Sequence, residues 1–562
     1  MSKNIENLKK SHKSGFQLLD ISINRIHVKQ LIAGIDRILM KQNNSNLYPW
    51  KKAHYKAIKN WLLKYKPVGN NPSNLEKVTG YIEALYHICQ VEDWDKVKKI
   101  LSIDINANQN FSNYKFHYQL GVWGLYKQQI SIYSSLLGKI DDKWNCRFLE
   151  GLGNAYDALG NYDKAINYRQ QWRQLAQDIK DKKEEGKALC SLGINLDDFP
   201  GDLVLAALID SKKVKLIKHI PQKSQYRAVI NWVTKYQANQ ETSDLAKLKG
   251  LLEAFFHLCE VEAWLEAKAI MLIRINTPTN EELHEQLQTW GFYEETIGLY
   301  QRLLGKLDAR WEATSLTGIG KISNAIGDFN QAIHYFKNSQ NITKQIGDLQ
   351  SERNALSNLG KTYHFLGNDS NALQAHLESL SIAKKIGDRI GEGLVMSDLG
   401  VTYSAIEDNK KALFYLEKSL HIAQSNDNKI GQAMALEGLA IFYLQQNDYE
   451  HTVEYSQQQL TIAREIGYRQ SEATSLRNLG KAQTYFLEHS KACQTLESAL
   501  KICQEINDRY NEAICFYYLA QFFYDYGYFE KAKSLFSKVL RLSQWLNIPC
   551  PEKCLELLKL IK

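Results

Sequence analysis

Small and apolar residues return every 40 positions between Thr314 and Leu542, and their phase does not change. A branched apolar residue stands directly before each small residue of the first column, and a second small column follows twelve positions later. The first column consists of Gly320, Gly360, Gly400, Ala440, Gly480 and Ala520, and the second of Ala332, Ala372, Ala412, Thr452, Ala492 and Ala532. A fixed period of this length indicates stacked supersecondary units, because one unit cannot bury its apolar face without neighbours.

Each 40-residue unit predicts a pair of helices. The apolar residues follow helical spacing over 352–366, residues 367–369 interrupt it, and the spacing resumes over 372–386. The two small columns are expected to face each other where the helices cross, since a larger side chain would hold the backbones apart. Ala412 should therefore be fully buried.

Glycine and aspartate mark the connections between units. Glycine suits the left-handed residue after a helix, and the carboxylate of an aspartate that follows it can cap the next helix. Left-handed residues are predicted at Gly347, Gly387 and Gly467, and capping residues at Asp348 and Asp388.

One segment of the chain carries a known signature. Leu152, Gly153 and Tyr156, followed by Gly160 and Ala165, resemble the tetratricopeptide repeat, and the resemblance covers roughly residues 75–545. The 40-residue period is more similar to the long repeats of kinesin light chain and of cyanobacterial signalling proteins. The resemblance implies an all-α, right-handed superhelical solenoid of antiparallel helix pairs.

The first third of the chain is repeated in the second. The matching segments are 55–61 with 226–232, 83–94 with 253–264, and 123–144 with 290–311, so the spacing between the copies shortens slightly along the module. A helical module of about 170 residues has been duplicated, and we expect about eleven or twelve helical hairpins in all. The module resembles the segment that precedes long arrays in cyanobacterial proteins with NB-ARC or CHAT domains.

These patterns predict five segments and one bend. Pro200 and Pro221 bracket the junction of the two modules, so we expect a bend over 195–221. The segments are a loose N-terminus (1–27), the first module (28–200), the second module (201–313), six regular repeats (314–545) and a C-terminal capping helix (546–562).

Composition favours a soluble cytoplasmic protein. The net charge of +8 arises from 70 basic and 62 acidic residues without a block of like charges, so we expect neither nucleic-acid binding nor membrane insertion. Nine cysteines without framework spacing indicate reduced thiols. Residues 1–15 are polar, which argues against a signal peptide.

No set of residues predicts catalysis, a metal or a cofactor. Residues 315–321 superficially resemble a phosphate-binding loop, but they lie in phase with five other helices and lack the first glycine. His87 and Cys89 recur as His257 and Cys259, and residues two apart on one helix point away from each other, which favours core packing over metal binding. We therefore expect no enzymatic activity.

The inner face of the repeats is the remaining candidate site. In the family that this chain resembles, four positions around each small residue of the first column point into a concave groove. There, side-chain amides can bond the backbone of an extended peptide and cations can bond its carboxylates. The predicted groove residues are Lys321, Asn324, Asn358, Lys361, His364, Ile441, Leu444, Arg477, Asn478, Lys481, Tyr517, Gln521 and Tyr524.

These residues predict an interaction protein. The groove is basic at two places and apolar between them, so we expect a peptide with acidic ends and an apolar centre. A carboxylate clamp is not expected, because Leu394 and Ile514 stand where that clamp needs lysine. The leading function is a scaffold or adaptor for protein segments. The alternative is a regulatory sensor arm that changes shape on binding a ligand or partner, and the oligomeric state is left open.

Overall fold

The computed structural model describes residues 25–41, 48–67, 72–105, 114–238 and 243–560, so most of the predicted loose segment lies outside the described residues. The described chain is helical apart from one short antiparallel pair of strands, in which Asp104 pairs with Lys115. Two compact units are present. One comprises residues 1–141 with 343–349, and the other comprises 142–342 with 350–562.

The elements before the regular repeats form hairpins of unequal length. They are α1 Arg25–Lys41, α2 Pro49–Lys64, α3 Asn74–Gln90, α4 Trp94–Leu101, β1 Asp104–Ile105, β2 Tyr114–Lys115, α5 Phe116–Val122, α6 Tyr126–Leu136, α7 Asp142–Ala158, α8 Tyr162–Asp178, α9 Lys182–Leu192, α10 Gly201–Leu208, α11 Ser211–Leu216, α12 Ile220–Lys235, α13 Asp244–Glu260, α14 Trp264–Met271, α15 Leu283–Thr289 and α16 Tyr293–Leu303.

The regular repeats follow as six hairpins and a final helix. They are α17 Ala309–Ile326, α18 Phe329–Ile346, α19 Leu349–Phe365, α20 Asp369–Ile386, α21 Arg389–Ala405, α22 Asn409–Ser425, α23 Lys429–Gln445, α24 Tyr449–Ile466, α25 Arg469–Tyr485, α26 His489–Glu505, α27 Arg509–Asp525, α28 Phe529–Leu546 and α29 Glu552–Leu560. The predicted all-α repeat fold is confirmed.

The duplicated module is visible in the helix bounds. Helices α2 and α12 have equal length, as do α3 and α13, and α6 and α16, and each pair overlaps matching segments of the two copies. Single contacts recur as well. The hydroxyl of Tyr65 donates to the Glu76 carbonyl at 2.9 Å, and the hydroxyl of Tyr236 donates to the Ala246 carbonyl at 2.8 Å. The two copies therefore fold by the same local contacts.

The second small column is buried as predicted. All six of its residues, including Ala412, are 0% exposed. The packing partner of the first column differs from the expectation, however. Each glycine of that column packs mainly on the side chain four positions after the corresponding residue of the second column. A methyl group built on Gly400 would lie 2.5 Å from Leu416 and 3.1 Å from the Ala412 carbonyl oxygen. A methyl group on Gly360 would lie 2.5 Å from His376. The crossing point is thus one helical turn further along the second helix.

A serine on the second helix ties the two helices of a hairpin together. Ser379 donates to the Arg353 carbonyl at 2.9 Å, and Ser419 donates to the Gly393 carbonyl at 2.7 Å. In the fourth repeat Gln459 stands at this position and donates instead to Ser471 in the next helix. The serine fixes the hairpin angle by a bond that packing alone does not supply.

The three predicted left-handed glycines and the predicted cap at Asp388 are confirmed. Gly387 has φ +76°, and the carboxylate of Asp388 accepts from the Gly391 amide at 2.7 Å. In each of the six regular repeats, the turn between the two helices of the hairpin also contains a left-handed residue, and the type of this residue varies. It is Gly367 in the second repeat, whereas it is Leu487, with φ +58°, in the fifth. A left-handed leucine is sterically unfavourable, which makes the fifth turn exceptional.

Within the second unit, turns of early hairpins pack against connections between later hairpins or against the helix ends next to those connections. A methyl group on Gly160, in the α7–α8 turn, would lie 2.9 Å from Ile390. In the α15–α16 turn, a methyl group on Gly291 would lie 2.7 Å from Ile506. Gly327, in the α17–α18 turn, lies directly against Leu546. The unit therefore folds back so that the two edges of its repeats meet.

The predicted junction at residues 200–201 lies inside a continuous core. The Ile194 amide donates to the Arg274 carbonyl at 2.9 Å, and Val204 of α10 shares one hydrophobic cluster with Val229 and Leu251. Residues 201–216, in which we expected a bend, form two helices. The described boundary between compact units comes earlier, at residues 141–142.

Candidate functional site

The first helices of the regular repeats are enclosed on most of their surface. In α21 the buried residues include Gly391, Val395, Ser397 and Asp398, which lie on several faces of the helix. The second helices bury only one face, and in α22 this face contains Ala412 and Leu416 among others. Most of the predicted groove residues therefore lie among side chains of neighbouring helices.

The predicted cluster in α19 is already partnered by the next repeat. The Nζ of Lys361 lies 3.3 Å from Asp398 Oδ1, and Ser357 donates to Asp398 Oδ2 at 2.9 Å. Asn358 donates to the carbonyl of Asn354 in its own helix at 2.8 Å. Since Asp398 balances the charge of Lys361, this end of the inner face is less basic than the sequence suggests.

His364, which closes the same predicted cluster, bonds within its own hairpin. Its Nδ1 lies 2.7 Å from Asp369 Oδ1, and both side chains are about one-fifth exposed. This pair ties the end of α19 to the start of α20 and leaves His364 partly open to solvent.

The second predicted cluster, in α25, is divided between buried and open residues. Arg477 and Asn478 are 5% and 0% exposed. Arg477 donates to Asn511 and to Asn478 Oδ1, the latter at 3.1 Å. Lys481 is half-buried and donates to Gln521 Oε1 at 2.9 Å, and burial lowers its pKa. Lys481 is thus a cation that is hydrogen-bonded to a neutral group.

The other predicted groove residues differ in their surroundings. Gln521 donates to the hydroxyl of Tyr517 at 2.7 Å, and the ring of Tyr524 lies 5.5 Å from that of Phe529. Lys321 is exposed, while Asn324, Ile441 and Leu444 are half-buried.

Two side-chain amide atoms at predicted groove positions lack a partner within the described residues. The Nδ2 of Asn478 and the Oδ1 of Asn324 are both enclosed and make no hydrogen bond there. A buried amide without a partner costs free energy, so native proteins nearly always satisfy such groups. Asn478 Nδ2 is a donor and Asn324 Oδ1 is an acceptor, and other buried polar atoms of the array, such as Gln483 Oε1, also lack a partner among the described residues.

The loop between α14 and α15 contains a largely buried acidic residue that the sequence did not predict. In this loop Glu281 accepts hydrogen bonds from Thr279 at 3.0 Å and Thr289 at 2.9 Å. Burial raises the pKa of Glu281 to about 7, and the nearby carboxylate of Glu285 adds to the effect. Thr289, Thr279 and Lys321 oppose it.

Glu281 of this loop interacts electrostatically with Lys321 in the first helix of the array. Burial raises the pKa of Tyr468 well above its usual range, and the carboxylates of Glu437 and Glu281 raise it further. The pKa of Tyr468 is therefore affected by a carboxylate of the array, Glu437, and by one of the second module, Glu281. The matching segments on either side of this loop are separated by fewer residues in the second module than in the first. This difference shows from the sequence that the loop is distinctive, but it does not predict the position of the loop in the fold.

Comparison with known families identifies the repeats. The tetratricopeptide repeat model matches residues 149–183, 311–385, 351–425 and 431–505. These matched segments are tetratricopeptide repeats. The segment 149–183 contains the signature that begins at Leu152, and the other matches lie in the regular array. No curated protein matches the chain.

Solved tetratricopeptide-repeat structures are similar to this chain at low identity. A Rap protein complexed with competence and sporulation factor has 12% identity and a TM-score of 0.47, and the match covers 72% of this chain and 98% of that one. A signal transduction ATPase from Pyrococcus horikoshii with a tetratricopeptide-repeat sensor has 15% identity and a TM-score of 0.32, with 80% and 91% covered.

The remaining candidates for chemistry lie in the packing of the tetratricopeptide repeats and their flanking helices. His87 contacts His54 at 2.9 Å, and its counterpart His257 contacts Gln225 at 2.5 Å. Burial raises the pKa of both Cys89 and Cys259 to about 11, which disfavours the thiolate that metals bind. Among the described residues no three His, Cys, Asp or Glu side chains are grouped as a metal ion requires. No described helix combines the length and apolar character needed to cross a membrane.

Proposed function

We propose that the protein is a non-enzymatic interaction scaffold that binds an extended peptide segment along the inner face of its repeats. The observation that carries this proposal is the pair of enclosed, unpartnered amide atoms, Asn324 Oδ1 and Asn478 Nδ2. An extended peptide presents backbone N–H and C=O groups in alternation, and it can satisfy one atom with each.

The lysines of the inner face define the ends of the bound segment. A peptide carboxylate at Lys481 has only to replace the neutral Gln521, whereas at Lys361 it competes with the carboxylate of Asp398. The stronger acidic contact is therefore expected at Lys481. The half-buried Ile441 and Leu444 lie between the two lysines in sequence and suit an apolar centre.

The length of the segment follows from the stacking of the repeats. Three repeats separate the two lysines, and neighbouring hairpins stack about 10 Å apart, which gives a span of roughly 30 Å. An extended chain covers this span in about nine or ten residues at ~3.3 Å each. A partner segment acidic near both ends fits the inner face, and it needs about twelve residues to reach both Asn324 and Asn478, which are four repeats apart.

A peptide-display selection on the purified full chain tests the proposal. Selected peptides are synthesised with a fluorescent label, and their binding is measured by fluorescence anisotropy at several salt concentrations. We expect acidic ends in the selected sequences. We also expect a salt-sensitive loss of about tenfold or more in affinity for Lys361→Glu combined with Lys481→Glu.

The control is the same charge reversal at Lys384 and Lys418, two exposed residues on second helices. This variant should bind as the native chain does. Equal weakening by both pairs would mean that positive charge acts diffusely. A selection without binders, or binders indifferent to both pairs, would place the partner elsewhere and refute the proposal.

A further inference from the structure

Apart from the α13–α14 turn, where Glu262 is the left-handed residue, most of the hairpin turns fall into two groups within the second unit. Each turn of the first group carries an apolar residue beside a left-handed glycine, and a connection from a later part of the chain covers it. Gly160 and Gly327 are buried in this way, under Ile390 and Leu546. Trp290 packs against Gly467. The covering connection always comes from a hairpin further along the chain.

The turns of the last four repeats form the second group, and they are exposed. Those of the fifth and sixth repeats are strongly apolar: Tyr485, Phe486 and Leu487 are 63%, 42% and 70% exposed, and Tyr528 is 61% exposed. Within the described chain, nothing lies within 4 Å of a methyl group built on Gly527. We call residues 485–489 and 525–529 the turn edge.

The composition of the turn edge matches that of the covered turns. Tyr526 and Gly527 repeat the pairing of an apolar residue with a left-handed glycine that is seen at Trp290 and Gly291. Leu487 departs from this pairing, since it keeps a left-handed conformation at φ +58° at a position where glycine is favoured. An exposed apolar side chain kept in an unfavourable backbone conformation indicates a contact that offsets its cost.

The opposite edge has exposed connections at the beginning of the same unit. Ile179, in the α8–α9 connection, is 37% exposed. Gly305, in the α16–α17 connection, is exposed, and within the described chain nothing lies within 4 Å of a methyl group built on it. We call residues 179–181 and 304–308 the connection edge.

We propose that the turn edge of one chain docks on the connection edge of a second copy. The occupant is inferred from the internal packing, because the turns at Gly160, Gly291 and Gly327 already pack on a connection or on the helix end next to one. The two surfaces differ, so the contact is head-to-tail, and a chain bound at one edge still offers the other. The association extends the edge packing of a single chain from one molecule to the next. It uses neither the inner face nor the residues proposed to bind peptide.

Analytical ultracentrifugation of the full chain over a wide concentration series tests this contact. The native protein should associate with increasing concentration. Two variants each disable one edge: Phe486→Ser with Leu487→Gly on the turn edge, and Ile179→Asp on the connection edge. Each variant should raise the dissociation constant at least about tenfold, since it removes apolar residues from the centre of the interface. Leu487→Gly also relieves the left-handed leucine, so the turn-edge variant should melt no lower than the native chain.

Mixing the two variants distinguishes a head-to-tail contact from a symmetric one. Each variant retains one intact edge, so an equimolar mixture should form a one-to-one dimer and nothing larger. A native chain that stays monomeric at every concentration overturns the proposal. The proposal is also overturned if the native chain associates and only the turn-edge variant weakens this association. The turn edge then binds a surface other than the connection edge.

Discussion

Replacement of Glu281 by glutamine should make the protein more stable at neutral pH and leave its stability in acid unchanged. The folded-state pKa of Glu281 is about 7 and its ordinary value is 4.5, so the folded chain retains this proton at pH values where the unfolded chain has lost it. Stability therefore falls as the pH rises from 4.5 through 7. At about 1.4 kcal/mol per pH unit, the loss approaches 3 kcal/mol above pH 7.

Glutamine keeps the acceptor oxygen that bonds Thr279 and Thr289 but cannot ionise. The variant should equal the native chain near pH 4.5 and exceed it by up to about 3 kcal/mol at pH 8. Urea unfolding followed by circular dichroism at several pH values measures the difference. Glu407→Gln, at an exposed turn, is the matched control and should show no trend. A native-to-variant difference that is the same at pH 5 and pH 8 would refute the assignment of a buried, protonated Glu281.

Three further substitutions test the packing of the repeats, each measured as a change in the midpoint of thermal unfolding. Ala412→Trp should cost more than the ~1 to 3 kcal/mol of ordinary overpacking, and a melt within a degree of the native chain would contradict its burial at the helix crossing. Ser419→Ala should cost about 1 kcal/mol by removing the bond to the Gly393 carbonyl, and an unchanged midpoint would mean that packing alone sets the hairpin angle. Gly327→Val should cost more than about 2 kcal/mol, because valine disfavours φ +90° and overlaps Leu546. A tolerated valine would contradict the edge packing.

The repeat fold could be predicted because its signals are local. The burial of Ala412 and the cap at Asp388 depend on residues close in sequence. The 40-residue period repeats the buried small residue six times. The sequence predicted that Gly400 faces Ala412, whereas its main partner is Leu416, one helical turn further along the second helix. That error arose because the spacing of small residues fixes which helices cross but not the point at which they cross.

The candidate site was less predictable because its residues are partnered between repeats. The groove positions were chosen one helix at a time, and on that basis Lys361 and Arg477 appeared available. Asp398 and Asn511, which bond them, come from the following repeat and occur at positions where the array has no regular residue type. Glu281 reaches the interior through a fold-back of the chain that no repeat period records.

The meeting of the two repeat edges has a consequence for cooperativity. Repeat proteins are commonly treated as one-dimensional, with each repeat stabilised only by its neighbours, so that terminal repeats fray independently. Here Gly160 lies against Ile390 and Gly291 against Ile506, contacts that close very long loops of the chain. Loss of the final hairpins would uncover the turns at Gly291 and Gly327, which couples the unfolding of the last repeats to that of much earlier hairpins. Closing such loops is also slow in folding, so the array should assemble locally first and join its edges last.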